Sequence, residues 1–445
     1  MNRLTQLSNT LRSSFWFVPS LMVAISIVLA TVLVEAESAV SDRWLAQWPR
    51  LFGAGAEGAR QMLSTLAGSM MSVMGVTFSM TLVALALASS QYTSRILRNF
   101  MGSRATQSTL GIFAGIFTYC LIVLRTVRGG SEGEFVPSLA LFFAFVLALG
   151  GIGVLIFFIH HIASSIQASS IIASVAQETV AAVDRLFPEQ LGHGPDGDER
   201  QMPRPLEERS WRAVPAQVSG YIQSVDDDAL LCLARDRKTI VRMERGIGGF
   251  VVHNAALASL ALEHPPDRGT IAALNASYSI SRHRTVNQDP GFGVRQIVDM
   301  ALKALSPGVN DTSTAVMCVD YLTAILARLA SRQFPASRRY EGDELRVITI
   351  APTFEGLLAD SFDQIRRSAE GNVAVMARML GALETIGSLT GSPRRRRALR
   401  EHVQWIAEMA DRTIESAHDR ARIERRLMHV REVLESGPAA CAGDE

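Results

Sequence analysis

The chain is poor in the residues from which redox centres, metal sites and nucleic-acid interfaces are made. Its 445 residues include four cysteines. Cys120 falls in an apolar run, and Cys232, Cys318 and Cys441 are scattered without disulfide or zinc spacing. That usage suits a reducing compartment. His160 and His161 are adjacent, which turns them to different sides of a helix and away from a shared metal. A formal net charge of +1 leaves no concentrated basic excess, which excludes a nucleic-acid partner. Gly246-Ile247-Gly248-Gly249 has neither G-x-G-x-x-G order nor a Walker lysine, so it is no phosphate cradle. No Ser-His-Asp, Cys-His or metalloprotease spacing stands out. The sequence therefore names no catalytic residue, metal or cofactor, and reads as that of a non-enzyme.

Charge is missing over one long stretch. Residues 61–94 contain no Asp, Glu, Lys or Arg, about 50 Å of helix against a hydrocarbon core of about 30 Å. Three further apolar runs join it, giving expected membrane helices at about 15–34, 61–92, 107–125 and 137–160. The first has arginines before it and small residues after it, as a secretory signal does. Its length, Trp16 and the spans behind it favour a retained helix. The second carries a stripe at helical spacing: Gln61, Thr65, Gly68, Ser72, Gly75, Ser79, Val83, Ala86 and Ser90. Such a small, hydroxyl-bearing side is built to meet another helix or water.

Lysine and arginine counts tie across the two sets of loops, so the positive-inside rule is weak here. The cysteine usage and the Arg95, Arg98 and Arg104 cluster suggest that both termini are cytoplasmic. The expected organisation is a transmembrane domain (1–162), a membrane-exit helix and linker (163–212), a β-rich soluble subdomain (213–292) and a mainly helical one (293–445). Gly- and Pro-rich residues 189–212 mark the linker. Strand-like runs at 217–225, 229–234, 239–243 and 248–252 predict a small β-barrel or curled sheet, which 345–350 rejoins. Helices are expected at 163–186, 294–305, 313–330, 353–368, 373–388 and 398–435. The fold class is thus a four-helix membrane domain followed by an α+β soluble domain.

The densest polar stretch is residues 281–315, SRHRTVNQDPGFGVRQIVDMALKALSPGVNDTSTA. Arg284, Gln288 and Asp289, with Asn310 and Asp311, form a candidate cytoplasmic polar site. The structural reading of the same residues is a helix stop at Ser306-Pro307-Gly308 and a new start capped by Asn310, Asp311 or Thr312. Arg295 and Asp299 pair four apart on one helix face. Together with residues 11–23 (LRSSFWFVPSLMV), 77–100 and 362–367 (FDQIRR), this stretch resembles the domain-of-unknown-function family 2254, predicted bacterial membrane proteins. Thr312 stands where that pattern has proline, and a helix's first turn accepts either. The resemblance implies a four-helix membrane part and a cytoplasmic domain, and supplies no catalytic residue. The run Arg394 to Arg397 reads as solvated surface, with contact to anionic lipid as the alternative.

Two functional readings follow. In the first the protein is an oligomeric ion channel or pore in the lipid bilayer. Ser72, Gly75, Ser79 and Ser90 line a conduit for an inorganic ion, and the soluble part forms a vestibule. The absence of charge inside the spans argues against a proton-coupled transporter. In the second it is a membrane-anchored sensor or scaffold, whose helices pack through the same small residues.

Overall fold

A computed structural model describes residues 16–39, 55–91, 104–129, 135–165, 167–187 and 209–436, and divides the chain into two units, 1–170 and 171–445. The first unit contains α1 (Phe17–Ala39), α2 (Ala56–Gln91), α3 (Arg104–Thr126) and α4 (Ser138–Ser165). α1 and α3 run parallel in close contact, because Gly111 and Gly115 have no side chain to hold them apart. A Cβ at Gly111 would lie 2.6 Å from the Met22 sulfur, and one at Gly115 would lie 2.5 Å from the Ser26 hydroxyl. At one end of the bundle the Glu37 carboxylate accepts from the Leu139 amide at 3.0 Å, neutralising the start of α4. At that same end Arg60 donates to the Val127 carbonyl at 3.0 Å. The four helices therefore alternate in direction.

The unit buries Leu63, Phe113, Ile116, Tyr119 and Val123 at its centre and leaves Leu21, Ile25, Val28, Leu149, Ile152 and Ile156 exposed. An apolar outer surface of this kind is what hydrocarbon covers. Among the described residues, five helices are long and apolar enough to cross a membrane by length and composition alone: α1 to α4 and a fifth at Thr312–Ala330. The fifth lies in the second unit.

That unit opens with α5 (Ala168–Leu186), which starts five residues later than the helix expected at 163–186, while α4 runs on to Ser165. Then come β1 (Trp211–Pro215), β2 (Gly220–Val225), α6 (Asp227–Asp236), β3 (Val241–Met243), β4 (Phe250–Val251), β5 (Ala256–Ala261), α7 (Arg268–Ala276) and β6 (Tyr278–Ser281). α8 (Pro290–Ala304), α9 (Thr312–Ala330), β7 (Arg338–Glu341) and β8 (Glu344–Ile348) follow, and α10 (Phe354–Ser368), α11 (Val373–Leu389), α12 (Pro393–Thr413) and α13 (Ala417–Ser436) complete it. The strands form two small sheets, β1-β5-β3-β8-β7 and β4-β2-β6. They share one core of Val214, Ile222, Val241, Leu260, Leu274 and Val347. β8 pairs parallel with β3, so it does rejoin the sheet.

Two expectations need correction. Residues 229–234 are helix, not strand: Asp226 caps α6 by accepting from the Ala229 amide at 3.0 Å, and Asp227 and Asp228 fill its first turn. The acidic run read as a turn is a helix start. Residues 398–435 are two helices with a break at 414–416. β1, β5, α7, β6 and β7 had no counterpart in the sequence reading.

Candidate functional site

The stripe on α2 faces out of the first unit. Gln61, Thr65, Gly68, Ser72, Gly75, Ser79, Val83 and Ala86 are all exposed, whereas Ala59, Leu63, Ala67, Met70, Thr77 and Ala84 bury the opposite side. A Cβ at Gly68 or Gly75 would meet nothing within 4 Å. Thr65 and Ser72 donate to the carbonyls of Gln61 and Gly68 at 2.7 and 3.0 Å, so these hydroxyls are satisfied within their own helix. Ser90 belongs to α2, but its side chain lies outside the described residues. The small residues that do make a tight seam are Gly111 and Gly115 on α3. Their spacing of four was the sequence signal for it.

The five residues of the polar site fall into two groups at opposite ends of α8, a helix of 15 residues, or about 22 Å. At its start, Arg284 grips Asp289 through Nε and Nη2, both at 2.8 Å. The other Asp289 oxygen accepts from the Phe292 amide at 3.1 Å, which makes Asp289 the cap, ahead of Pro290. Burial pushes the Asp289 carboxyl above its usual range, against the opposing pull of Arg284. Gly248, at φ +80°, lies directly on this pair. Close approach, not phosphate binding, explains the glycines of that turn. Gln288 pairs its amide with the Val225 backbone, accepting at 3.0 Å and donating at 3.4 Å, in the manner of an added strand.

Beyond the other end of α8, Asn310 takes the left-handed conformation (φ 48°), which asparagine tolerates. Asp311 caps α9 by accepting from the amide and hydroxyl of Thr314 at 3.0 and 2.5 Å. Those bonds hold its carboxyl below the usual range. The Thr312 hydroxyl in turn accepts from Asn372, the cap of α11, at 2.9 Å. Arg295 and Asp299 pair at 2.8 Å.

The same stretch also seats α5. Gly293 has Thr179 of α5 where a Cβ would stand, and Ala182 packs with Val286 and Phe292. Arg332, buried, bonds Asp184 at 2.7 Å and the Phe187 carbonyl at 2.5 Å. The densest motif in the sequence is therefore a joint that fastens the helix following α4. In the basic run, Arg395 is buried and donates to the Ala330 and Arg332 carbonyls at 2.9 and 3.0 Å, closing the end of α9. Arg394 pairs with Glu355 at 3.0 Å. Among the described residues no group of three His, Cys, Asp or Glu side chains is placed to hold a metal.

Comparison with known proteins agrees with the membrane reading. The model of a family described as predicted membrane protein (DUF2254) matches residues 12–385. Uncharacterized protein Mb1321c of Mycobacterium bovis is 32% identical over 453 residues, covering 98% of this chain and 83% of its own length. Uncharacterized protein Rv1290c of Mycobacterium tuberculosis matches with the same identity and coverage. No solved structure matches. Apolar helices at the start, mixed sheets and helices after them, and a family match over most of the length lead to one conclusion: the chain belongs to the DUF2254 family of predicted membrane proteins.

Proposed function

We propose that this membrane protein crosses the bacterial cytoplasmic membrane four times, has both termini in the cytoplasm, and associates with copies of itself around a conduit for small inorganic ions. The observation that carries this reading is the outward stripe on α2. In a bundle surrounded by lipid, a side built from Gly68, Ser72, Gly75 and Ser79 has less to offer acyl chains than the leucine and phenylalanine beside it. Around a shared axis it would offer water a smooth, uncharged, hydroxyl-bearing wall. Alternating helix directions bring the end of α4 to the side where α1 begins, which fits an even number of spans. α9, though apolar, carries Asp320 and Arg328 and buries Cys318, Leu322, Ile325 and Leu329, which suits a core helix of the soluble part.

The second reading, a membrane-anchored sensor or scaffold, draws on the internally bonded hydroxyls of Thr65 and Ser72. A helix whose polar groups are already satisfied packs against another copy without needing water. Reconstitution in liposomes separates the two. The pore reading predicts an ion flux that Gly75→Leu suppresses at least tenfold while the assembly keeps its size, because an added apolar ring excludes water. No flux above that of empty liposomes, together with loss of the oligomer in Gly75→Leu, favours the scaffold.

A further inference from the structure

The second unit buries a histidine that neither reading uses. His402 of α12 is 3% exposed. Its Nδ1 lies 3.8 Å from Asp363 Oδ1 on α10, beyond hydrogen-bond range, and both of these buried atoms lack a hydrogen-bond partner. The Nε of Arg366, on the same helix, is a third buried polar atom without one. Arg366 lies over the Trp405 indole at 5.6 Å, while the His402 ring meets that indole edge-on at 4.7 Å. Trp405 thus sits between His402 and Arg366, and Asp363 faces His402 across a gap that no hydrogen bond closes.

Leaving buried polar atoms without a hydrogen bond is unfavourable, so this cluster has a reason to rearrange once a proton arrives. Protonation makes Nδ1 a donor in every case and adds charge. Closing the gap to a charge-assisted bond of about 2.8 Å needs about 1 Å of side-chain movement. The same charge places a second cation beside the indole that Arg366 already occupies. The charged groups facing His402 are both on α10: Asp363 favours the proton and Arg366 opposes it. On α11 and α13, Glu384 pairs with Arg426 at 3.0 Å and with His429 at 3.1 Å. Asp360 on α10 feels Asp363, Arg284 and Arg295, so the cluster is electrostatically linked to the joint at the start of α8.

We propose that His402, Asp363 and Arg366 form an acid-operated latch between α10 and α12: protonation draws His402 Nδ1 onto the Asp363 carboxylate and displaces Arg366 from Trp405. In the unlatched form burial holds the imidazole down to about 4. The latched form binds the proton more tightly, so acidification shifts the population toward it.

The test uses the full-length protein in lipid discs, titrated from about pH 7.5, above the ordinary histidine value, to about pH 3, below the value of about 4 that burial imposes on His402. Trp405 emission is isolated by subtracting that of Trp405→Phe, and helix content is followed in parallel. The latch predicts one titration of the Trp405 signal at constant helix content. His402→Gln abolishes it, and Asp363→Asn lowers its midpoint by about 1 unit, the effect of one nearby opposite charge. A wild-type signal that ignores pH overturns the proposal, as does a titration that survives His402→Gln or one that tracks loss of helix. Should His402→Gln fail to fold, Asp363→Asn decides alone, and an unmoved midpoint is the overturning result.

Discussion

Single side chains in the second unit do structural work that their chemistry first suggested was ligand binding. Asp311 is the clearest case, with both oxygens engaged by Thr314. Asp311→Ala should cost about 1 kcal/mol at neutral pH, the worth of a helix cap, read as a lower melting temperature in detergent. Because the folded carboxyl titrates below its unfolded value of about 3.9, the cap's contribution is full above that pH. It disappears as the pH falls through the depressed folded value, so wild type and variant should converge in strong acid. Asp289 behaves differently, since removing it strands a guanidinium as well as an amide. Asp289→Ala should cost about 2–3 kcal/mol, somewhat less than for a fully buried pair because Arg284 keeps partial contact with water. A loss no larger than that of Asp311→Ala would mean the pair contributes little. The Asp311 cap was legible in the sequence from Asn-Asp-Thr, whereas Asp289 was read only as part of a polar cluster and its helix, expected from 294, starts at Pro290. The His402–Asp363 contact was not legible, because 39 residues separate them and only the packing of two helices brings them together.

At the scale of whole elements, the decisive distinction is which side of a membrane helix faces its own bundle. Sequence periodicity identified the α2 stripe but could not orient it. When every side of a helix is apolar or small, hydrophobicity no longer marks the inside. The tight seam lies instead between α1 and α3. Gly115→Leu should force these helices apart and lower the melting temperature by several degrees, whereas Gly75→Leu, with open space around it, should leave the melting of the single chain unchanged. Equal destabilisation by both would contradict the orientation of α2. The second unit repeats the lesson. α8 to α11 were readable from apolar spacing and good caps, but the acids at 226–228 looked like a turn when they start α6. The short strands β5 and β6, with α7 between them, carry too little pattern to stand out. α5 supplies a further test, because its last turn is held by Arg332. Arg332→Ala should expose the amides of α5 near residue 184 to hydrogen exchange while those of α8 stay protected. Unchanged exchange at α5 would mean that other contacts fasten it.

For the whole molecule, the membrane assignment rests on apolar helices with an apolar exterior and on a family match over most of the chain. The proposed conduit rests on the direction in which α2 points its small residues. With all four native cysteines replaced by alanine, a Ser79→Cys variant should react with a small, charged, membrane-impermeant thiol reagent in proteoliposomes, because the reacting species is a hydrated thiolate. Ile152→Cys, on the exposed apolar side of α4, serves as the lipid-facing control and should stay unlabelled. The account predicts rapid modification at position 79, with ion flux falling in step. A fully assembled protein in which position 79 reacts no faster than position 152 would contradict it.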